Sequence, residues 1–434
     1  MSQAACRVAM LGCGTVGSGV ASLLAEHAAM YADRAGRPIE LTRVMVRDVD
    51  AAVERSGLPR ERFVGSLDAL LTDVDVLIEV AGGTGVALDA TRQALAAGLP
   101  VVTANKAMLA DHGPELFALA RSNNTAIAFE ASCAGGIPCG TALMFGLMSN
   151  RLAGLYGILN GTCNFILSEM TDHGRAYDDV LADAQRLGYA EADPTLDVSG
   201  RDAAQKLAVL GSLAFGVQLS DGPMVVRGID GLSLDDVRFG AELGYDVKLL
   251  GIAERGDDGR IGASVQPCFV KMGSSLAEVH GVTNAVAVRG DAVGSVVMTG
   301  PGAGKMPTAS AVVSDLLNVA AGWYVNAMAA MPLTADAHAP AELVPAAEET
   351  ARYYLRMHAM DEAGVVARVA DALGRRGVSI MSMLQHEVDA GAFVPLVVTT
   401  HEAQRGELDA AIAEIESMEA IDGAVVAMRI LDAE

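Results

Sequence analysis

Positive charge is scarce in this sequence. It holds 31 Lys plus Arg against 54 Asp plus Glu in 434 residues, a formal net charge of −23. A nucleic-acid or anionic-membrane surface is therefore not expected, because phosphate binding needs clustered cations. Cysteine is scarce too. Six thiols in so long a chain cannot form a disulfide scaffold, and Cys133 and Cys139 lack zinc-ribbon spacing. Free thiols in a reducing cytoplasm are the expectation. Long apolar runs are missing as well. Stretches such as 207–210 and 214–217 fall far short of the about 18 residues of a membrane span. Glycines break the apolar start of the chain every few residues, so it reads as a strand and turn rather than a signal peptide.

What remains is a globular composition, 51% apolar and 20% charged, with length for several domains of roughly 100–200 residues. Residues 7–11 form a short apolar strand. Gly12-Cys13-Gly14-Thr15-Val16-Gly17 follows, and then Val20, Leu23 and Leu24 recur at helical spacing. G-x-G-x-x-G between a strand and a helix suits a dinucleotide pyrophosphate. One glycine makes the tight turn, one lets backbone approach the phosphates, and one lets helix pack on strand. The helix N-terminus then offers free N–H groups to the anion. A second strand at 41–46 ends in Arg47-Asp48. The acid suits the ribose hydroxyls of NAD and the arginine suits the 2′-phosphate of NADP, so cofactor choice stays open. Further strands at 74–80, 100–104 and 126–130 alternate with helical stretches, which predicts a parallel, doubly wound α/β sheet. Thr84 and Lys106 fall just beyond strand ends, where such sheets bind ligands.

Residues 130–138 are small and turn the chain out of the sheet. Carbonyls freed from a ladder there can ligate a hard monovalent cation. Cys133 has no histidine in its segment to activate it as a nucleophile. Asn160, Thr162 and Asn164 stand at a strand end, turn and helix start, placed to cap the helix or to bond a polar substrate. The stretch 187–207 carries Glu191, Asp193, Asp197 and Asp202 into a helix. Asp202 and Lys206 lie one turn apart, on a face continued by Val209, Leu210 and Leu213. A lysine on an apolar face beside a carboxylate is a candidate proton donor or acceptor. The acidic loop ahead of it suits an ammonium group; a routine helical ion pair is the alternative. Residues 300–308 form a second glycine-rich loop, followed by a helix.

At these residues the chain resembles the homoserine dehydrogenase family over essentially its whole length. The carriers are GCGTVG at 12–17, VVTANKA at 101–107, EASCAGGIP at 130–138, GILNGTCNFIL at 157–167, LGYAEADPTLDVSGRDAAQKL at 187–207 and GPGAGKMPTASAVVSD at 300–315. The resemblance implies interconversion of L-homoserine and L-aspartate 4-semialdehyde with NAD(H) or NADP(H). It makes Lys206 the proton donor to the aldehyde oxygen and Asp202 its substrate-binding partner. Glu191 would hold the substrate amino group, with Thr162, Tyr189 and Asp197 as further pocket residues. Lys106 would stand between cofactor and substrate. Gly188 and Gly302 would join Gly12, Gly14, Thr15, Val16, Gly17, Arg47 and Thr84 as cofactor contacts. The backbones of Glu130, Cys133, Gly135 and Ile137 would bind a structural sodium ion. Many members carry an aliphatic residue where Cys133 stands, a change that a carbonyl ligand tolerates. A homodimer or homotetramer is expected.

Residues 331–349 carry Pro332, Pro340 and Pro345 and read as a linker. Beyond them the pattern is β-α-β-β-α-β, a ferredoxin-like order similar to an ACT regulatory domain. Its loop Asp361-Glu362-Ala363-Gly364 is where such domains often take an amino acid. By family analogy that effector is L-threonine, in threonine and methionine biosynthesis. The expected division is a Rossmann-type NAD(P)-binding domain at 1–140, an α+β catalytic and dimerisation domain at 141–330, the linker, and the ACT-like domain at 350–434. Two rivals carry less. Aspartate-semialdehyde dehydrogenase needs an activated cysteine that the sequence does not offer. A non-catalytic amino-acid sensor has no need of Lys106, Glu191, Asp202 and Lys206 together. With the nucleotide motif at residue 12, no fused aspartokinase is expected upstream.

Overall fold

The computed structural model describes residues 4–386 and 392–431, and the chain divides into two units. The first gathers Met1–Gly161, Asp202–Met224 and Thr283–Ala341; the second gathers Thr162–Arg201, Val225–Val282 and Glu342–Glu434.

In the first unit, five strands form a sheet: β1 (Cys6–Leu11), β2 (Ile39–Met45), β3 (Val76–Glu79), β4 (Val101–Thr103) and β5 (Ile127–Ala128). All pair in parallel, in the order β2-β1-β3-β4-β5. Every residue of β3, β4 and β5 is buried, as continuous apolar strands covered on both faces should be. The chain runs from β1 to β2 on one side and then crosses back to β3 on the other side of β1, so the crossover direction reverses there. Such a reversal opens a crevice beyond the carboxyl ends of β1 and β3, where ligands bind in sheets of this kind.

The helix Thr15–Glu26 follows β1, and the helix Lys305–Ala320 returns from far along the chain to pack on it. A Cβ at Gly19 would lie 2.9 Å from that of Ala309, so this glycine sets how closely the two helices meet. An antiparallel ribbon of Leu152–Ile158, Thr283–Gly290 and Gly294–Pro301 belongs to the same unit. The proline-rich stretch is held at several places, among them Gln218, whose side chain donates to the His338 carbonyl at 2.7 Å. Arg121, on the helix Lys106–Ser122, donates to both carboxylate oxygens of Asp336, with Nε–Oδ2 at 2.8 Å.

The second unit ends in the expected β-α-β-β-α-β run. Its strands lie in the order Ile421–Leu431, Thr350–Met360, Phe393–Thr400, Ile380–Gln385, antiparallel throughout. The helix Val365–Arg375 turns Val365, Val369, Ala372 and Leu373 to the core, and Arg405–Glu416 turns Leu408, Ala411, Ile412 and Ile415 to it. On the far side, Ile421–Leu431 pairs in parallel with Ile261–Lys271, which pairs antiparallel with Tyr245–Arg255. A buried ion pair ties this sheet to a helix, Leu234–Glu242. Arg356 grips Asp236 with two bonds, Nε–Oδ1 at 2.6 Å and Nη2–Oδ2 at 3.0 Å, and the Tyr354 hydroxyl donates to Oδ1 at 3.0 Å. Among the described residues no helix is long and apolar enough to cross a membrane.

Candidate active site and cofactor cleft

The three glycines after β1 answer to three different constraints. Gly12 has φ +95°, and a Cβ on it would lie 2.7 Å from the Ala81 backbone nitrogen. A Cβ on Gly17 would lie 2.5 Å from the Gly12 carbonyl oxygen, so this glycine lets helix meet strand. Gly14 is different: a Cβ there would meet nothing within 4 Å. Its bareness serves no contact within the protein and leaves backbone open to a ligand, as a pyrophosphate requires. Gly14 also stands at the N-cap of Thr15–Glu26 without a side-chain cap, so the first N–H groups, from Thr15, Val16 and Gly17, face an anion site.

These residues border a cavity of about 830 Å³ that continues past Arg47, Asp48 and Arg55 on one side and Ala81 and Gly82 on the other. That is room for a dinucleotide, and the residues present fit one. Asp48 is already engaged, its carboxylate accepting the Ala51 N–H at 3.0 Å as the N-cap of Val49–Ser56. Thr84 sits exposed in the same turn as Gly82 and Gly85, which line the cavity.

Asn105 caps the helix that starts at Lys106, its side-chain oxygen accepting the Met108 N–H at 3.1 Å. Lys106 reaches Asp202 Oδ1 at 3.0 Å. Asp202 opens the helix Arg201–Phe215, and one turn on, Lys206 Nζ lies 2.8 Å from Oδ2 of the same carboxylate. The Asn160 side-chain amide also donates to Oδ2 at 2.8 Å, and Lys206 Nζ donates to the Leu159 carbonyl at 2.6 Å. Burial alone would push the Asp202 carboxyl up. The Lys206 and Lys106 charges outweigh that and hold it well below the usual carboxylate range. Two ammonium groups thus converge on one carboxylate.

Thr162, Tyr189, Glu191, Asp197 and Gly188 belong to the second unit. Thr162 Oγ1 donates to the Tyr189 carbonyl at 2.7 Å, and the Tyr189 ring packs edge-on against Phe165. Gly188 ends the helix Tyr177–Leu187 at φ +77°, the left-handed position that favours glycine. Glu191 is exposed, and its backbone carbonyl accepts from Gln185. Asp197 lies in the short helix Thr195–Val198.

The segment after β5 begins with a tight turn, Glu130–Ser132, and passes through two consecutive left-handed residues, Ala134 at φ +53° and Gly135 at φ +54°. The Glu130 side chain is spent on its own chain. It accepts the Gly140 and Thr141 N–H groups, both at 2.7 Å, and the Thr141 hydroxyl. Carbonyl oxygens are therefore what this loop can offer a cation. Two of them already take an N–H, Glu130 from Cys133 and Ile137 from Cys139, and each keeps a second lone pair. Such neutral, hard donors fit an alkali ion. Among the described residues no cluster of three or more His, Cys, Asp or Glu side chains could hold a metal. Gly302 closes over the same loop: a Cβ on Gly135 would lie 2.5 Å from the Gly302 carbonyl carbon, and one on Gly302 would lie 2.0 Å from Asn284 Cγ.

Burial pushes the Cys133 thiol up to about 11, so it is no thiolate nucleophile at neutral pH. Sequence reasoning paired Asp202 with Lys206 but did not bring Lys106 to the same carboxylate. It also left Glu79, Thr103 and Asn105 unremarked. An acid closing the apolar run Val76-Leu77-Ile78-Glu79 was the available signal.

Comparison with known proteins agrees along the chain. A family model described as homoserine dehydrogenase matches residues 138–317. The NAD binding domain of homoserine dehydrogenase matches 12–130, and the ACT domain matches 353–420. A homoserine dehydrogenase of Pseudomonas aeruginosa is 42% identical over 428 residues, covering 98% of each chain. One from Bacillus subtilis is 38% identical over 424 residues, covering 96% of each. Among solved structures, a homoserine dehydrogenase from Thiobacillus denitrificans superposes with a TM-score of 0.94 at 40% identity, covering all of both chains. A hyperthermophilic archaeal homoserine dehydrogenase in complex with NADPH matches 72% of this chain and 97% of its own, with a TM-score of 0.61 at 27% identity.

Proposed function

The chain belongs to the homoserine dehydrogenase family, and from that premise we propose that it interconverts L-homoserine and L-aspartate 4-semialdehyde, with NADP(H) as the better cofactor. It is an NAD(P)-dependent oxidoreductase. The bound nicotinamide supplies the hydride chemistry; the protein supplies position, field and a proton.

One observation carries the reading. An ammonium has three N–H donors, and the Lys206 bonds to Asp202 and to the Leu159 carbonyl use two. The third is left for a substrate oxygen. As negative charge grows on the aldehyde oxygen, the Lys206 ammonium offsets it and then gives up a proton. Asp202 holds Lys206 and Lys106 in register and remains a carboxylate throughout. In the oxidative direction Lys206 takes the proton back. For Glu191, Thr162, Tyr189 and Asp197 as pocket residues, and for Gly188 and Gly302 as cofactor contacts, support comes from the family pattern.

The cofactor preference rests on Arg47 and Arg55 lining the cleft while Asp48 is committed to its helix cap. Two guanidinium groups suit a 2′-phosphate. The test follows reduced-nicotinamide absorbance with L-homoserine, once with NADP and once with NAD. Turnover with both, at a lower KM for NADP, is expected, and Arg47→Ala should raise that KM more than the one for NAD. Absence of turnover with either cofactor sinks the reading.

Further parts of the proposal follow. The carbonyls of Glu130, Cys133, Gly135 and Ile137 would hold a sodium ion, with a structural role. The C-terminal ferredoxin-like fold would take L-threonine as a feedback effector, in threonine and methionine biosynthesis, which threonine titration of the assay tests. The chain would work in the cytoplasm as a homodimer or homotetramer, divided functionally near residues 140, 330 and 350.

A further inference from the structure

Glu79 closes β3 and is fully buried. Among the described residues no lysine, arginine or histidine forms a salt bridge with it, and three hydrogen-bond donors take its oxygens instead. Oε1 accepts the Ala81 and Gly82 N–H groups at 2.9 and 3.0 Å; Oε2 accepts the Thr103 hydroxyl at 2.7 Å. Each bond leads somewhere. Ala81 and Gly82 form the wall of the cofactor cleft opposite Arg47. Thr103 closes β4, and its Oγ1 in turn accepts the Asn105 N–H at 3.0 Å. Asn105 then works in two directions. Its amide donates to the Gly83 carbonyl at 2.7 Å, and its oxygen caps the helix that Lys106 begins.

We propose that Glu79 is a positioning residue that joins the cleft wall at 81–83 to Lys106, so that one carboxyl group both shapes the cofactor site and aims Lys106 at Asp202. The geometry has few ways to relax. Ala81 and Gly82 point successive N–H groups at one acceptor, and Gly82 and Gly83 follow as consecutive left-handed residues at φ +73° and +75°, so the chain bends sharply right after the two bonds. Thr103 and Glu79 lie on neighbouring strands in register, which fixes their separation. The ring of bonds Glu79–Thr103–Asn105–Gly83 closes on the turn that Glu79 itself holds. Moving any member displaces the residue next to Lys106. The inference rests on the dehydrogenase reading only through the role of Lys106.

Glu79→Gln keeps the shape but removes the charge; its amide must turn a donor either toward the Ala81 and Gly82 N–H groups, which cannot accept it, or toward the Thr103 hydroxyl, whose own proton then loses its acceptor, so one of the two arms is weakened. We expect roughly a tenfold to hundredfold fall in kcat and weaker NADPH binding in a fluorescence titration, with the KM for homoserine little changed. Thr103→Val cuts only the arm toward Asn105 and should lower kcat while sparing NADPH affinity. The decisive comparison is with Lys106→Ala. In that background Glu79→Gln should add no further loss of kcat but should still weaken NADPH binding. Losses in kcat that multiply overturn the proposal, as does a Glu79→Gln protein with wild-type kcat and NADPH affinity. Wild-type turnover of homoserine tests the dehydrogenase reading by itself, and the NADPH titration needs no turnover.

Discussion

Asp202 and Asp236 are both deeply buried, and they are neutralised in different ways. Asp236 meets one guanidinium, gripped by two parallel bonds, and one tyrosine hydroxyl. Its charge is matched one for one, the arrangement that makes an ion pair tolerable away from water. Asp202 meets two ammonium groups and an amide, so its charge is overmatched. A surplus charge in a shielded place is a poor way to hold a fold together and a good way to receive a developing anion. The first pair fastens a helix to a sheet. The second gathers two cations on one acid.

The largest effect that would break this contrast is on rate. Lys206→Ala should lower kcat by roughly 10²–10⁴-fold while NADPH affinity stays near wild type. Steady-state rates and a fluorescence titration check it; near-normal turnover would remove Lys206 from the chemistry. Next comes stability. Asp236→Ala strands the Arg356 guanidinium in the interior and should cost about 3–5 kcal/mol of unfolding free energy, with kcat per folded molecule unchanged. Denaturant titration reads the first quantity and active-site-normalised rates the second. The smallest effect is a pH slope. The folded-state pKa of Asp202 is depressed by its lysines, so the stability it contributes is present above the unfolded carboxylate value of about 3.9 and is lost as pH falls through the folded value. Below about pH 4 the wild type should therefore lose stability more steeply than Asp202→Asn, by at most about 1.4 kcal/mol per pH unit. Equal slopes in the two proteins would mean that Asp202 is not held ionised by its neighbours.

Legibility from sequence followed the range of the interaction. The Asp202–Lys206 contact obeys helical spacing, and the glycine motif after β1 obeys the demands of one turn, so both could be read locally. The C-terminal β-α-β-β-α-β run was readable for the same reason, since its strands and helices alternate at short intervals. Lys106 on Asp202 joins the start of one helix to the start of another far along the chain, and no periodicity announces that. Glu79 was hidden differently. In an otherwise apolar strand it looked like an ordinary strand end, because its partners come from the next turn and the neighbouring strand. Asp236 was hidden by a plausible local role, an acid in the first turn of a helix capped by Ser233. Its true partner, Arg356, lies on a strand of the ferredoxin-like sheet.

The stacking of Gly135, Gly302 and Asn284 bears on how this enzyme can be rebuilt. Two bare backbones meet there with no space for a methyl group on either, and an asparagine packs against the second. A chimera that imports the segment around 135 from a distant relative must import the segments around 284 and 302 with it. Directed evolution would do better to leave these three sites out of its libraries.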